Sequence, residues 1–146
     1  MLELTNHSYD IEFRRRMDSF HKNLWANLDL APSLDDVVAN SLIAYLLELS
    51  CQCQNIRNIT LGRMALWALP GQWLLERIEL VAEPLIRLND DWEYRRLLEV
   101  YWRLDKSLVK KLALQGLDNP NPEIREAGQE CLDKLADSGA GQTLNY

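Results

Sequence analysis

Three cysteines and two histidines are the side chains best able to do chemistry in this 146-residue chain. Cys51 and Cys53 flank Gln52, and Cys131 lies far downstream. A tetrahedral zinc site needs four ligands, and beyond the Cys51/Cys53 pair only His7 and His21 could complete one. A redox couple is a second chemistry open to the pair, provided a thiolate can form. The plain reading is two small residues in a turn between helices. Neither histidine stands beside a Ser or Cys nucleophile in a known catalytic pattern, and no glycine-rich phosphate loop occurs. The sequence therefore nominates no catalytic, cofactor-binding or metal-ligating residue, and the chain reads as a non-enzyme.

Binding is the other chemistry the residues offer. Five tryptophans are many for this length. Trp67 and Trp102 fall at or beside inward stripes and read as packing. Trp92 falls on the outer side of its helix, beside Asp90, Asp91 and Glu93. A tryptophan on a surface among acids suits a binding hot spot for a basic partner, because hot spots favour Trp and Arg. Asp91 and Arg96 complete that candidate patch, and Trp25 is a similar candidate.

The elements that must position these residues are helices. Phe13, Met17, Phe20 and Leu24 recur at helical spacing from about residue 9 to 28. Ser33, with Asp36 three residues on, reads as the capped start of the next helix. A polar break from Ser50 to Asn55 leads into a third helix from Ile56, which Leu69-Pro70-Gly71 ends. A fourth, residues 72–88, is apolar almost all round, with its exposed face confined to Glu76, Glu79 and Glu83. Asp90 caps a fifth helix with Tyr94, Leu97, Leu98 and Tyr101 inward. A sixth spans 107–117. Asn121 caps a seventh with Pro122 at its first position. Residues 138–146 read as a flexible tail behind a single domain of residues 1–137. No strand signal occurs, so the expected class is all-α.

Composition narrows the partners. The net charge is −6 and the pI about 4.9, which disfavours nucleic acid and anionic membrane. No apolar run reaches the roughly 18 residues of a membrane span. An odd cysteine count and the absence of an apolar leader point to the cytoplasm.

Three boundaries resemble one another: Leu49 to Ile56-Arg57, Leu88 to Tyr94-Arg95, and Leu117 to Ile124-Arg125. In each, a leucine ends a helix, a polar turn follows, and a large apolar residue precedes an arginine. Ile59, Leu97 and Ala127 then occupy equivalent positions. Recurrence of this kind marks stacked helical hairpins. The last copy, with Leu117, Asp118, Pro120, Pro122, Ile124, Arg125, Ala127 and Leu135, resembles HEAT repeats. The likeness is strongest to the short bacterial type called phycobilisome-lyase HEAT-like repeats.

That resemblance implies a right-handed α-α superhelix, a solenoid of three to four helical hairpins, that binds another protein without catalysis. It also implies one alternative: handling of a bilin, with a cysteine of the Cys51/Cys53 pair as a thioether attachment point. Lyase activity on a bilin is the main enzymatic alternative. Small size, acidity and exposed aromatics suggest another, an immunity-type inhibitor of a basic toxin. A HEAT-like glycosylase for alkylated DNA ranks last, because that use needs a basic concave surface. In the repeat register, Asp118 would cap helix-end amides, and each arginine would pair with acidic turn residues of its neighbour. Arg63 aligns with Tyr101 and Cys131, an inward position, so it either snorkels from a helix edge or needs a buried carboxylate. Cys51, Cys53 and Arg63 are thus the places where the copies depart from the pattern.

Overall fold

The computed structural model describes residues 3–143, with side chains to residue 138. Among these the chain is all-helical, with no strand. The helices are α1 (Ser8–Phe20), α2 (Asp36–Cys51), α3 (Ile56–Ala68), α4 (Gly71–Leu75), α5 (Ile78–Leu85), α6 (Asp91–Leu104), α7 (Lys106–Leu117) and α8 (Pro122–Thr143). Two short 3-10 segments, Leu24–Ala26 and Leu28–Ser33, join α1 to α2. Contacts divide the chain into two compact units, one ending at Ile86 and the other beginning at Arg87. No described helix is long and apolar enough to cross a membrane.

Most helix starts follow local capping chemistry. Asn55 accepts from the Arg57 and Asn58 amides, Asp90 from Glu93, Asp105 from Ser107, and Asn121 from Glu123. Each bond satisfies an amide that the first turn leaves without an intrahelical partner. Four expectations change. The first helix stops at Phe20 rather than near residue 28, because His21 turns extended and Asn23 takes a left-handed conformation at φ 62°. Asp35, not Ser33, caps α2, accepting from the Val38 amide at 2.9 Å, while the Ser33 hydroxyl donates to the Leu30 carbonyl. The expected helix of residues 72–88 breaks at Glu76–Arg77 into α4 and α5, and its exposed face includes Leu80, which is 75% exposed. Helix α8 continues past Asp137 to Thr143, and residues 144–146 of the expected tail lie outside the described residues.

In the first unit α2 and α3 pack closely. Gly62 makes this possible: a Cβ there would stand 2.6 Å from the Ser50 hydroxyl and 2.8 Å from the Leu46 carbonyl. Phe13, Met17, Leu24, Leu42, Ile43, Leu46, Leu47, Leu61 and Leu66 are fully enclosed around this contact. Each such side chain contributes about 1.5–3 kcal/mol through removal from water. Asp10 of α1 is also fully buried. Its carboxylate accepts from Arg57 Nε and Nη2 at 2.7 Å each, and from the Thr5 amide and hydroxyl at 2.8 Å each.

In the second unit α6, α7 and α8 meet around Tyr94. The ring is 1% exposed, and its hydroxyl donates to the Leu112 carbonyl at 2.9 Å. Gly116 of α7 and Gly128 of α8 leave the room it fills, since a Cβ at either position would meet the Tyr94 hydroxyl, at 2.1 Å and 3.2 Å respectively.

The three boundaries that look alike in sequence differ in structure. Ile59, Leu97 and Ala127 are all buried, as are Tyr94 and Ile124, but Ile56 at the matching place is 73% exposed. The three arginines also behave differently. Arg57 reaches back to Asp10, Arg95 reaches Glu130 at 3.5 Å and the Glu123 carbonyl at 3.4 Å, and Arg125 donates to the Asn119 and Pro120 carbonyls of its own turn. Asp118 is the residue that closes α7, and the amides beyond it are served by Asn119 and Asn121. Turn-to-turn ties are made by side-chain amides instead. Asn119 donates to the Leu88 carbonyl at 3.1 Å and Asn121 to that of Asn89 at 3.4 Å.

Candidate functional site

Helix α6 buries one face and offers the other. Tyr94, Leu97, Leu98 and Tyr101 point inward, which leaves Trp92, Arg95, Arg96, Glu99, Trp102 and Arg103 on the outer side. Two tryptophans on this side carry a cation four residues on: for Trp92 it lies one helical turn away within α6, and for Trp102 it lies across the extended Asp105, at the start of α7. The Arg96 guanidinium lies 4.0 Å from the Trp92 ring centre, and the Lys106 ammonium 3.8 Å from that of Trp102. Each such stack is worth roughly 0.5–1 kcal/mol at an exposed site. Arg96 is further held by Glu99 at 3.3 Å. Trp92 is thus 43% exposed yet fixed in orientation on one of its faces.

Beside this stripe, α6 and α8 enclose a groove of about 350 Å³. Leu98, Trp102, Ala127 and Cys131 supply its apolar surface, and Arg95, Glu99, Glu130 and Lys134 its charges. The Arg95–Glu130 ion pair bridges the two helices. Cys131, expected in the core, is half-buried and faces this groove. Burial pushes its thiol above the ordinary range, outweighing Lys134, so at neutral pH it is a thiol rather than a nucleophilic thiolate. A concave apolar floor with charges of both signs around it can seat an apolar side chain of a partner and orient it.

The acids that suggested a basic partner for Trp92 are largely engaged. Glu93 is 2% exposed and paired with Arg87 at 2.7 Å. Asp90 caps α6 and lies 3.8 Å from Arg87. Asp91 is half-buried at the first position of α6.

The remaining candidates lie elsewhere. Trp25 sits in the first 3-10 segment of the other unit, with the Arg14 guanidinium 4.8 Å from its ring. Cys51 is the last residue of α2 and fully buried, rather than a turn residue, so of this pair only Cys53 is open to a thioether. Cys53 is half-buried, and burial together with Glu48 raises its thiol as well. Arg63 is half-buried on α3. His7 caps α1 by accepting from the Tyr9 amide and stacks on Tyr9. His21 is exposed at the end of α1. Among the described residues no group of three or more His, Cys, Asp or Glu side chains converges to hold a metal ion.

The groove residues Leu98, Trp102, Ala127 and Cys131 were legible in the sequence only as packing positions. The one available signal was the i, i+4 recurrence of an aromatic and a cation, at Trp92/Arg96 and again at Trp102/Lys106. Comparison of the chain with protein-family models, with curated proteins and with solved structures gave no match.

Proposed function

We propose that this protein is a non-catalytic protein-binding module of HEAT-like helical hairpins, and that it engages its partner through the outer side of α6 and the adjoining α6–α8 groove. The observation that carries this reading is Trp92, held 43% exposed under Arg96 next to an apolar groove. Tryptophan and arginine are the residue types most enriched at binding hot spots, where a rigid anchor sits beside a pocket. The hairpin reading is supported by helices joined through short turns at α2–α3, α6–α7 and α7–α8, and by the amide ties of Asn119 and Asn121. In a stack of hairpins the turns and the inward stripes hold the units together, which leaves outer helix faces for partners.

The test is affinity capture from the source cell with the whole chain, then quantitation against the Trp92→Ala variant. Trp92→Ala should weaken binding by about 2 kcal/mol or more with an unchanged far-UV circular dichroism spectrum. Equal affinity removes this face from the interface.

A further inference from the structure

Helices α2 and α5 lie side by side and run in the same direction. Arg77, just before α5, pairs with Asp36 at the start of α2 at 3.7 Å. Gln52, just after α2, donates to the Leu85 carbonyl at the end of α5 at 3.0 Å. Between these two ties runs a trough of about 440 Å³. Asn40, Ser41 and Ala44 form one wall, and Leu80, Val81 and Pro84 the other. Among the described residues no charged side chain lines it, in a chain with 26% charged residues. Helical spacing places Val37 and Glu48 on the same face of α2 as Ser41 and Ala44. Val37 is 77% exposed and Leu80 75%. Single exposed apolar residues are ordinary, but these two border an uncharged trough.

Both ends of the trough are acidic. At the start, Asp36 and Glu76 share the single cation Arg77, each at 3.7 Å. At the far end, Glu48 follows Ala44 by one turn, and Glu83 adjoins Pro84. Both are exposed and form no ion pair among the described residues. Pro84 adds a polar feature, because it has no N–H to give the Leu80 carbonyl one turn back.

We propose that this trough docks an amphipathic helix of a partner protein, one with an apolar ridge and with Lys or Arg at both ends of that ridge. The ridge replaces water over Ala44, Leu80 and Val81, and the basic side chains meet Asp36 and Glu76 at one end and Glu48 and Glu83 at the other. From position 37 to 48 the trough is about 16 Å long at 1.5 Å per residue, so the basic groups stand roughly three helical turns apart. A second copy of this chain is a poor occupant, because a two-fold contact sets the same patch against itself and would oppose these carboxylates. The surface is formed by other helices than the Trp92 face and is independent of it.

The experiment uses a fluorescein-labelled synthetic helix with a leucine ridge and lysines at both ends, and a control with glutamates in place of the lysines. Fluorescence anisotropy with the full chain should show the lysine-flanked peptide bound at least tenfold more tightly, with affinity falling as salt rises. Leu80→Asp should weaken it at least tenfold, and Glu48→Lys with Glu83→Lys should shift the preference toward the glutamate-flanked peptide. Trp92→Ala should leave it unchanged, which separates this surface from the α6–α8 reading. Absence of binding, equal affinity for the two peptides, or insensitivity to Leu80→Asp overturns the proposal. So does a dimer in sedimentation equilibrium that Leu80→Asp abolishes, since the trough would then be filled by a second copy.

Discussion

Gly116→Ala sets local and tertiary expectations against each other with opposite signs. Considered within α7 alone, alanine in place of glycine should stabilise the helix by about 0.5–1 kcal/mol, because glycine loses more backbone freedom on folding. In the folded unit the added Cβ would stand 2.1 Å from the Tyr94 hydroxyl and 2.7 Å from the ring carbon that bears it. That ring is buried and stiff, so it cannot swing aside as a long surface side chain would. Overpacking of this kind costs about 1–3 kcal/mol. Displacing the hydroxyl also breaks its bond to the Leu112 carbonyl, a further loss of about 1 kcal/mol. The net expectation is destabilisation by about 2 kcal/mol. Tyr94→Phe alone should cost about 1 kcal/mol, since the hydroxyl's bond to the Leu112 carbonyl is lost. In the Tyr94→Phe background the nearest clash is gone, so Gly116→Ala should cost less there by at least about 1 kcal/mol. Urea denaturation of the four proteins, followed by circular dichroism, gives the coupling directly. A neutral or stabilising Gly116→Ala, or additive effects, would refute the packing argument. Gly71→Ala is the control: a Cβ there meets nothing within 4 Å, so that substitution should be neutral or slightly stabilising.

Three further outcomes are expected. Asp10 is held well below the ordinary carboxylate range, first by its bonds from Arg57 and then by those from Thr5, against desolvation that acts the other way. Its contribution is therefore fully present above the unfolded carboxylate value of about 3.9 and lost as pH falls below it; acid titration followed by circular dichroism should show a shallower loss of stability for Asp10→Asn. At pH 7 the same substitution leaves Arg57 without its carboxylate and should destabilise the first unit by about 2–3 kcal/mol, below the range for a fully buried pair because Arg57 is itself partly exposed; a loss under about 0.5 kcal/mol in urea unfolding would show the pair to be incidental. Alkylation with iodoacetamide at pH 7.5 should label Cys53 and Cys131 slowly, with both thiols raised by burial, and Cys51 only on unfolding; rapid labelling of Cys51 in the native state would contradict its enclosure.

Local hydrogen bonding is what made the helices legible in the sequence. Asp90 and Asn121 mark starts because a cap reaches an amide two or three residues on, and that geometry needs no knowledge of the rest of the chain. Pro70 and Gly71 mark a stop for an equally local reason. The inward stripe of Tyr94, Leu97, Leu98 and Tyr101 follows from helical period. Where two local signals compete, as Ser33 and Asp35 do before α2, the sequence cannot rank them, because the backbone angle at each depends on what precedes it.

Tertiary packing alone decided the rest. Arg57 and Asp10 are 47 residues apart, and nothing in either neighbourhood names the other as partner. The sequence grouped Arg57, Arg95 and Arg125 by position, yet each reaches a different target, since a long side chain goes wherever packing leaves a carboxylate or carbonyl within reach. The tryptophan at position 92 was visible as an outer residue, but the acids that gave it a charge were not separable by sequence into those turned inward, as Glu93 is, and those left outside. The α6–α8 groove and the α2–α5 trough are built from residues on two helices each, and Leu80 read as core because apolarity says that a side chain can be buried, not that a neighbour exists to bury it. Helix identity is a property of adjacent residues; a surface is a property of which helices meet.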